Sequence, residues 1–215
     1  MKKSVVLFGK GDLCIKAGEW FLASQEYELR CVVPVTPEPA WTSSLAGWAR
    51  ERRIHVVEDG RTESIPGATG DDWRTDLAFS IFYDQIIKPW FIGKCGRILN
   101  LHNGPLPRYR GISPINWALK NGESEHGVTI HEITPGIDDG PILAQVKFSI
   151  YPEIDEVIEV YRRCLDFGWL LFEKTVPRLD RIKARPQDES RALYYDKDDS
   201  LRLGDRKGFT RVQSI

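Results

Sequence analysis

The stretch RILNLHNGPLPRYRG, residues 97–111, decides how the rest of the chain is read. As a strand, its alternation puts Ile98, Asn100 and His102 on one face and Leu99 and Leu101 on the other. Asparagine is depleted in strands, and an amide and an imidazole projecting together need partners that a purely structural strand does not supply. Pro105 and Pro107 then forbid further ladder pairing, so both polar side chains stand at the strand's C-terminal end. In open α/β sheets that end is where ligands bind. Two readings stand on this stretch alone: local hydrogen bonds that cap the strand, or a ligand site.

Upstream, strands alternate with helices. Residues 5–8 form a short apolar run ended by Gly9-Lys10-Gly11, and residues 12–24 follow with helical spacing, though Gly18 and Glu19 interrupt the apolar face. Residues 29–35 and 54–57 read as strands, residues 43–53 as a helix and residues 59–72 as a loop rich in Gly, Thr and Asp. Residues 77–83 are another buried strand, and residues 85–92 a short helix or loop broken at Pro89. Downstream, residues 115–121 are helical, and residues 127–134 and 141–150 alternate cleanly enough to form an antiparallel pair at one side of the sheet. Residues 155–179 carry the apolar spacing of a long amphipathic helix, with Asp155 as its expected cap. From residue 180 the composition turns charged, and only Tyr194-Tyr195 and Leu201-Arg202-Leu203 are adhesive. That segment is expected to be an extended tail, a short hairpin being its one candidate element. The pattern predicts an α/β fold: a Rossmann-like, mainly parallel sheet with helices on both faces and an antiparallel strand pair, plus a short C-terminal extension.

A length of 215 residues suits one complete domain with a modest appendage. Hydrophobic content of 41% and charged content of 28% are ordinary for a globular chain, and a net charge of −1 gives no general attraction to nucleic acid or to an anionic membrane. Cys14, Cys31, Cys95 and Cys164 are scattered without zinc or redox spacing, which suits a reducing cytoplasm. The start, Met1-Lys2-Lys3, opens like a signal peptide, but the apolar run behind it is too short, and nothing approaches membrane-spanning length.

The glycine turn at Gly9 and Gly11 invites a dinucleotide reading, but Cys14 stands where the third glycine belongs. Its free backbone N–H groups and Lys10 suit a phosphate, while a plain tight turn is the simpler reading. An imidazole working as acid or base needs an orienting partner. Asp138-Asp139, in the Gly-bounded loop 136–140, are the best candidates, against the reading that they only make turn hydrogen bonds. His131 alternates with apolar neighbours and reads as a satisfied structural histidine; His126 ranks with it, and His55 has no role. No ligand cluster suggests a metal.

Four blocks taken in order, Asn100-Leu101-His102, Leu106-Pro107-Arg108-Tyr109-Arg110-Gly111, Gly127-Val128-Thr129-Ile130-His131 and Gly136-Ile137-Asp138-Asp139-Gly140, resemble the formyltransferases that use N10-formyltetrahydrofolate. The likeness is strongest over residues 77–145 and extends from residue 1 to about 180. It implies a catalytic domain over 1–180, and an extension over 181–215 that helps form a homodimer. The resemblance places the catalytic Asn, His and Asp on Asn100, His102 and Asp138. It puts Gln85, Ile86 and Ile87, with Thr134, Pro135, Gly136 and Ile137, beside the folate. The implied formyl donor is N10-formyltetrahydrofolate, with no nucleic acid or membrane partner.

Among acceptors, the methionyl-tRNA enzymes carry a further barrel domain for which this chain leaves no room. The glycinamide ribonucleotide enzyme has a Gly-Ser-Asn phosphate loop where this chain has Gly11-Asp12-Leu13, and an aspartate there repels phosphate. Residues 79–84 and 109–119 resemble the nucleotide-sugar N-formyltransferases. The implied substrate is a nucleotide-linked amino sugar, dTDP-4-amino-4,6-dideoxyglucose first and GDP-perosamine second, for surface polysaccharide synthesis. Lys10, Gly11, Tyr83 and Arg108 are the candidates for its side of the cleft. A carboxylate at Asp138 is expected to favour the imidazolium of His102, which leaves two routes for the amine proton: His102 itself, or water relayed to Asp138. Two other classes remain, an NAD-binding oxidoreductase resting on Gly9 and Gly11, and a noncatalytic ligand-binding domain.

Overall fold

A computed structural model describes residues 1–203, and the chain divides into two compact units at residues 100 and 101. The last twelve residues of the expected extension, 204–215, lie outside the described residues.

The first unit holds β1 (Lys3–Gly9), α1 (Gly11–Ala23), β2 (Tyr27–Pro34), α2 (Leu45–Glu51), β3 (His55–Val56), β4 (Thr75–Ile81), α3 (Pro89–Ile92) and most of β5 (Cys95–His102). Its strands neighbour one another in the order β3-β2-β1-β4-β5. The β1–β2, β1–β4 and β2–β3 pairs are parallel. A parallel strand flanked on both sides must be apolar throughout, and Val5, Val6, Leu7 and Phe8 are fully buried. Gly9 ends β1 with φ +137°, and a Cβ there would lie 1.9 Å from the Ile81 carbonyl oxygen, so only glycine lets the turn pass β4. Gly18, which interrupts the helical pattern, lies on a buried face of α1 where a Cβ would meet the Trp48 ring of α2 at 2.3 Å. Pro89 begins α3 rather than breaking a helix, because the first turn needs no N–H from it.

The second unit holds the end of β5, then β6 (Arg110–Gly111), α4 (Pro114–Lys120), β7 (Glu125–Glu132), β8 (Ile142–Ser149), α5 (Val157–Thr175) and β9 (Tyr194–Tyr195). In the strand order β7 follows β5 and β8 is outermost, its pairing with β7 antiparallel. The architecture is the Rossmann-like α/β class with an antiparallel pair that the sequence predicts.

Three expectations are corrected. The cap of α5 is Glu156, in a capping box with Glu159; Asp155 instead binds Arg163 in a two-pronged ion pair. The long helix ends at Thr175 and tightens into a 3-10 stretch, Val176–Arg181, where Pro177 withholds the next donor. Among the described residues the tail forms no hairpin. Its β9 pairs in parallel with β6, and Arg185 bridges to Ile142 at the start of β8. Tyr195 stacks flat on Trp117 of α4 at 4.1 Å, so apolar burial rather than a turn holds the tail down. Among the described residues no helix is long and apolar enough to cross a membrane.

Candidate active site

His102 closes β5 and is 6% exposed. Its Nε2 lies 2.7 Å from the Tyr109 carbonyl oxygen; a carbonyl only accepts, so Nε2 carries the hydrogen. Nδ1 is left facing Oδ2 of Asp138 at 3.5 Å, too long for a formed hydrogen bond and short enough to close on a shared proton. Asp138 sits between β7 and β8 with φ +51°, a left-handed conformation that its short polar side chain tolerates. The Gly111 N–H donates to Oδ2 at 2.9 Å.

The other carboxylate oxygen, Oδ1, faces Nε2 of His131 at 3.3 Å. His131 Nδ1 lies 2.8 Å from the Glu132 carbonyl, so that nitrogen too is the donor. Asp138 therefore lies between two imidazoles: His102 gives its Nε2–H to the backbone and turns Nδ1 toward Oδ2, while His131 lies against Oδ1 and contributes a hydrogen bond to the carboxylate. His131 is buried and bonded, as its alternation suggests, and one of its partners is the Asp138 carboxylate. The β7–β8 register shifts between Ile130 and His131, and such an irregularity re-aims a side chain without leaving a mark in the sequence.

Burial pushes the His102 imidazole below its ordinary pKa; Asp138 opposes that, His131 adds to it, and the bond to Tyr109 opposes it. The Asp138 carboxylate does favour the imidazolium, as its charge predicts, but desolvation is the larger effect; the net direction is downward, and the resting ring is neutral. For Asp138 burial pushes the carboxyl up. His102, His131 and the Gly111 N–H together outweigh it and hold the group well below the usual carboxylate range. His126 is fully buried, with Nε2 on the Asn103 carbonyl, and burial drops it to about 4, which leaves it neutral and structural.

The other candidates fall into place by unit. In the second, the loop with Thr134, Pro135, Gly136 and Ile137 leads into Asp138. The Thr134 hydroxyl donates to Asp139, and the Gly136 N–H donates back to Thr134. Ile137 is 44% exposed beside these polar groups. Arg108 is engaged by Glu123 in a two-pronged pair, so its charge is already answered.

In the first unit Asn100 is half-buried, two residues before His102 on the same strand face. Lys10 and Gly11 begin α1; Lys10 is buried, and desolvation lowers its ammonium pKa against the opposing charge of Asp84. The Tyr83 hydroxyl donates to the Gly60 carbonyl and its ring meets Phe8 edge-on. Gln85, Ile86 and Ile87 lie between β4 and α3, with Ile87 buried and Ile86 75% exposed. Among the described residues no group of three His, Cys, Asp or Glu side chains is arranged to hold a metal ion.

A family model described as formyl transferase matches residues 62–176, more than half of the chain and the whole of the His102, His131 and Asp138 cluster. An N-formyltransferase from Helicobacter canadensis, solved with folinic acid and dTDP-3-aminofucose, is 26% identical with a TM-score of 0.78, over 93% of this chain and 72% of that one. The sugar 3N-formyl transferase WlaRD, solved with dTDP and 5-N-formyl-THF, gives 26% and 0.78 over 93% and 71%. The formyltransferase PseJ from Anoxybacillus kamchatkensis, in complex with UDP-4,6-dideoxy-4-formamido-L-AltNAc and tetrahydrofolate, is 26% identical with a TM-score of 0.64, over 98% and 96%.

Proposed function

We infer the reaction from one premise: this chain belongs to the formyl transferase family. It takes the formyl group of N10-formyltetrahydrofolate and places it on the amino group of a nucleotide-linked sugar. The observation that carries this reading is the half-buried Asp138 carboxylate set between the imidazoles of His102, at the end of β5, and His131, inside the matched segment. The acceptor class is supported by the three relatives, solved with a thymidine nucleotide, a thymidine-linked or a uridine-linked sugar.

In the proposed chemistry the sugar amine attacks the formyl carbon. The new C–N bond forms, the C–N10 bond breaks, and one proton passes from the amine to N10 of the departing tetrahydrofolate. Asn100 donates its amide N–H to the oxyanion of the tetrahedral intermediate. His102 accepts the amine proton on Nδ1 and returns it to N10. Its lowered pKa supports this route, because a neutral ring begins as a base, whereas the depressed carboxyl of Asp138 makes a poor one. Asp138 then faces the imidazolium as it forms. Gln85, Ile86 and Ile87 with the 134–137 loop hold the folate, and Lys10, Gly11, Tyr83 and Arg108 serve the sugar nucleotide. The catalytic domain spans 1–180, and the extension over 181–215 carries the homodimer contact, a role that suits the exposed Tyr194 and Leu201. The product feeds surface polysaccharide synthesis from the cytoplasm.

The preferred acceptor is dTDP-4-amino-4,6-dideoxyglucose. The test incubates the protein with N10-formyltetrahydrofolate and, in parallel, that compound, dTDP-3-aminofucose, a UDP-linked 4-amino sugar, GDP-perosamine and glycinamide ribonucleotide, reading formyl gain by mass spectrometry. Formylation of a nucleotide sugar supports the reading. Turnover of glycinamide ribonucleotide alone, or of nothing, overturns it.

A further inference from the structure

The tail contributes more than contact area, because residue 187 reaches the loop that carries Asp138. Gln187 Nε2 donates to the Asp138 carbonyl and to the Gly140 carbonyl, both at 2.7 Å. Its Oε1 accepts from Arg110, at 3.1 Å from Nε and 2.8 Å from Nη2. Arg110 has only donors and the two carbonyls only accept, so the amide has a single workable orientation. Arg110 is itself fixed by Glu189, at 2.9 and 2.7 Å, and its side chain is 9% exposed. The next residue, Gly111, gives its N–H to the Asp138 carboxylate. One side chain thus ties together the backbone of the carboxylate-bearing loop and the strand that donates to the carboxylate. The backbone around it is pinned on both sides. Arg185 exchanges two hydrogen bonds with Ile142, and Leu193 and Tyr195 accept from Arg110 and Ile112.

We propose that Gln187, outside the segment matched to the family, is a positioning residue that holds Asp138 against His102 and His131 in the left-handed conformation the carboxylate requires. Asp138 leaves the favoured backbone regions, and such a residue persists only where its surroundings over-determine it. Gln187 binds the carbonyl of that residue and the carbonyl two residues further along the loop. Without them the loop relaxes and the 3.5 Å approach to Nδ1 lengthens. A misplacement of about 1 Å at a reacting group costs on the order of a hundredfold.

This inference rests on the proposed formyl transfer for its kinetic readout and not for its spectroscopic one. Gln187→Leu is expected to lower kcat by about 10–100-fold with KM for both substrates within about twofold. Because Asp138 raises the His102 pKa against burial, its retreat moves the acid limb of the rate profile, and the NMR titration of the His102 ring, to lower pH. On an Asp138→Asn background the same substitution adds less than about twofold, since it acts through a group already removed. A His102 titration unmoved by Gln187→Leu overturns the inference whatever the substrate proves to be, and so do multiplicative losses in the double variant. Gln187→Glu keeps the Arg110 partner but turns lone pairs on both carbonyls, and is expected to act in the same direction. Failure of both variants to fold where the parent is active assigns the residue a purely structural part and overturns the proposal. If the parent transfers no formyl group, the proposed function fails, and the NMR titration still decides the part played by Gln187.

Discussion

Replacing Asp138 with asparagine removes one charge and leaves nearly the same shape. The amide oxygen still accepts from Gly111, so the loop keeps its anchor. Oδ2 and His102 Nδ1 are 3.5 Å apart. At that separation a carboxylate and an imidazolium attract by about 4–5 kcal/mol with the effective dielectric suited to protein sites. That attraction acts only once His102 holds the amine proton, so it lowers the barrier and not the resting energy. At about 1.4 kcal/mol per decade it sets a ceiling of roughly 10³ in rate. Relief of the buried charge reduces it, and a loss of about 10²–10³ in kcat is expected, with KM little changed. The assay follows conversion of the formylated folate by absorbance across a pH series. The acid limb must move to lower pH, because losing Asp138 lets burial depress His102 further. Stability carries a second signature. The native carboxyl of Asp138 is depressed, so its contribution is present above the unfolded value of about 4 and is lost as pH falls through the folded value. The melting-temperature gap between parent and variant must therefore shrink in acid. Activity within tenfold of the parent, or an acid limb that moves upward, refutes the reasoning.

Asn100→Ala, measured in the same assay, is expected to cost about 10²–10³ in kcat by deleting an oxyanion donor, and His102→Ala at least about 10², with melting temperatures near the parent's. Normal turnover in either variant removes that residue from the mechanism. His131→Gln tests the second imidazole with the opposite sign. Its charge lowers the His102 pKa, so the acid limb should move to higher pH in the rate profile, against the downward move of Asp138→Asn.

Much of the fold was legible because hydrophobic period is a local property. The uninterrupted apolar run at β1 follows from burial of both faces, and the alternation over β7 marks a strand although that strand too is buried on both faces. Asn100 and His102 were legible for a related reason: polar side chains at the end of a strand stopped by prolines contradict a purely structural use. The tail was not. Its backbone hydrogen bonds reach Ile142, 43 positions before Arg185, and Arg110, 83 positions before Leu193, and short-range pattern contains no such pairing. The cap of α5 was misplaced by one residue because Asp155 and Glu156 are both acceptors, and only the position of Arg163 decides which of them the helix uses.

By itself the sequence determined the alternation of strands and helices, the polar pair at the end of β5 and the carboxylate-bearing loop between β7 and β8, since each depends on neighbours a few residues away. Tertiary structure alone decided that His131 turns to the same carboxylate as His102, that burial rather than that carboxylate sets the resting charge of His102, and that Gln187 closes on the loop. Desolvation and orientation depend on everything packed around a group, and a linear order of residues does not contain that enclosure.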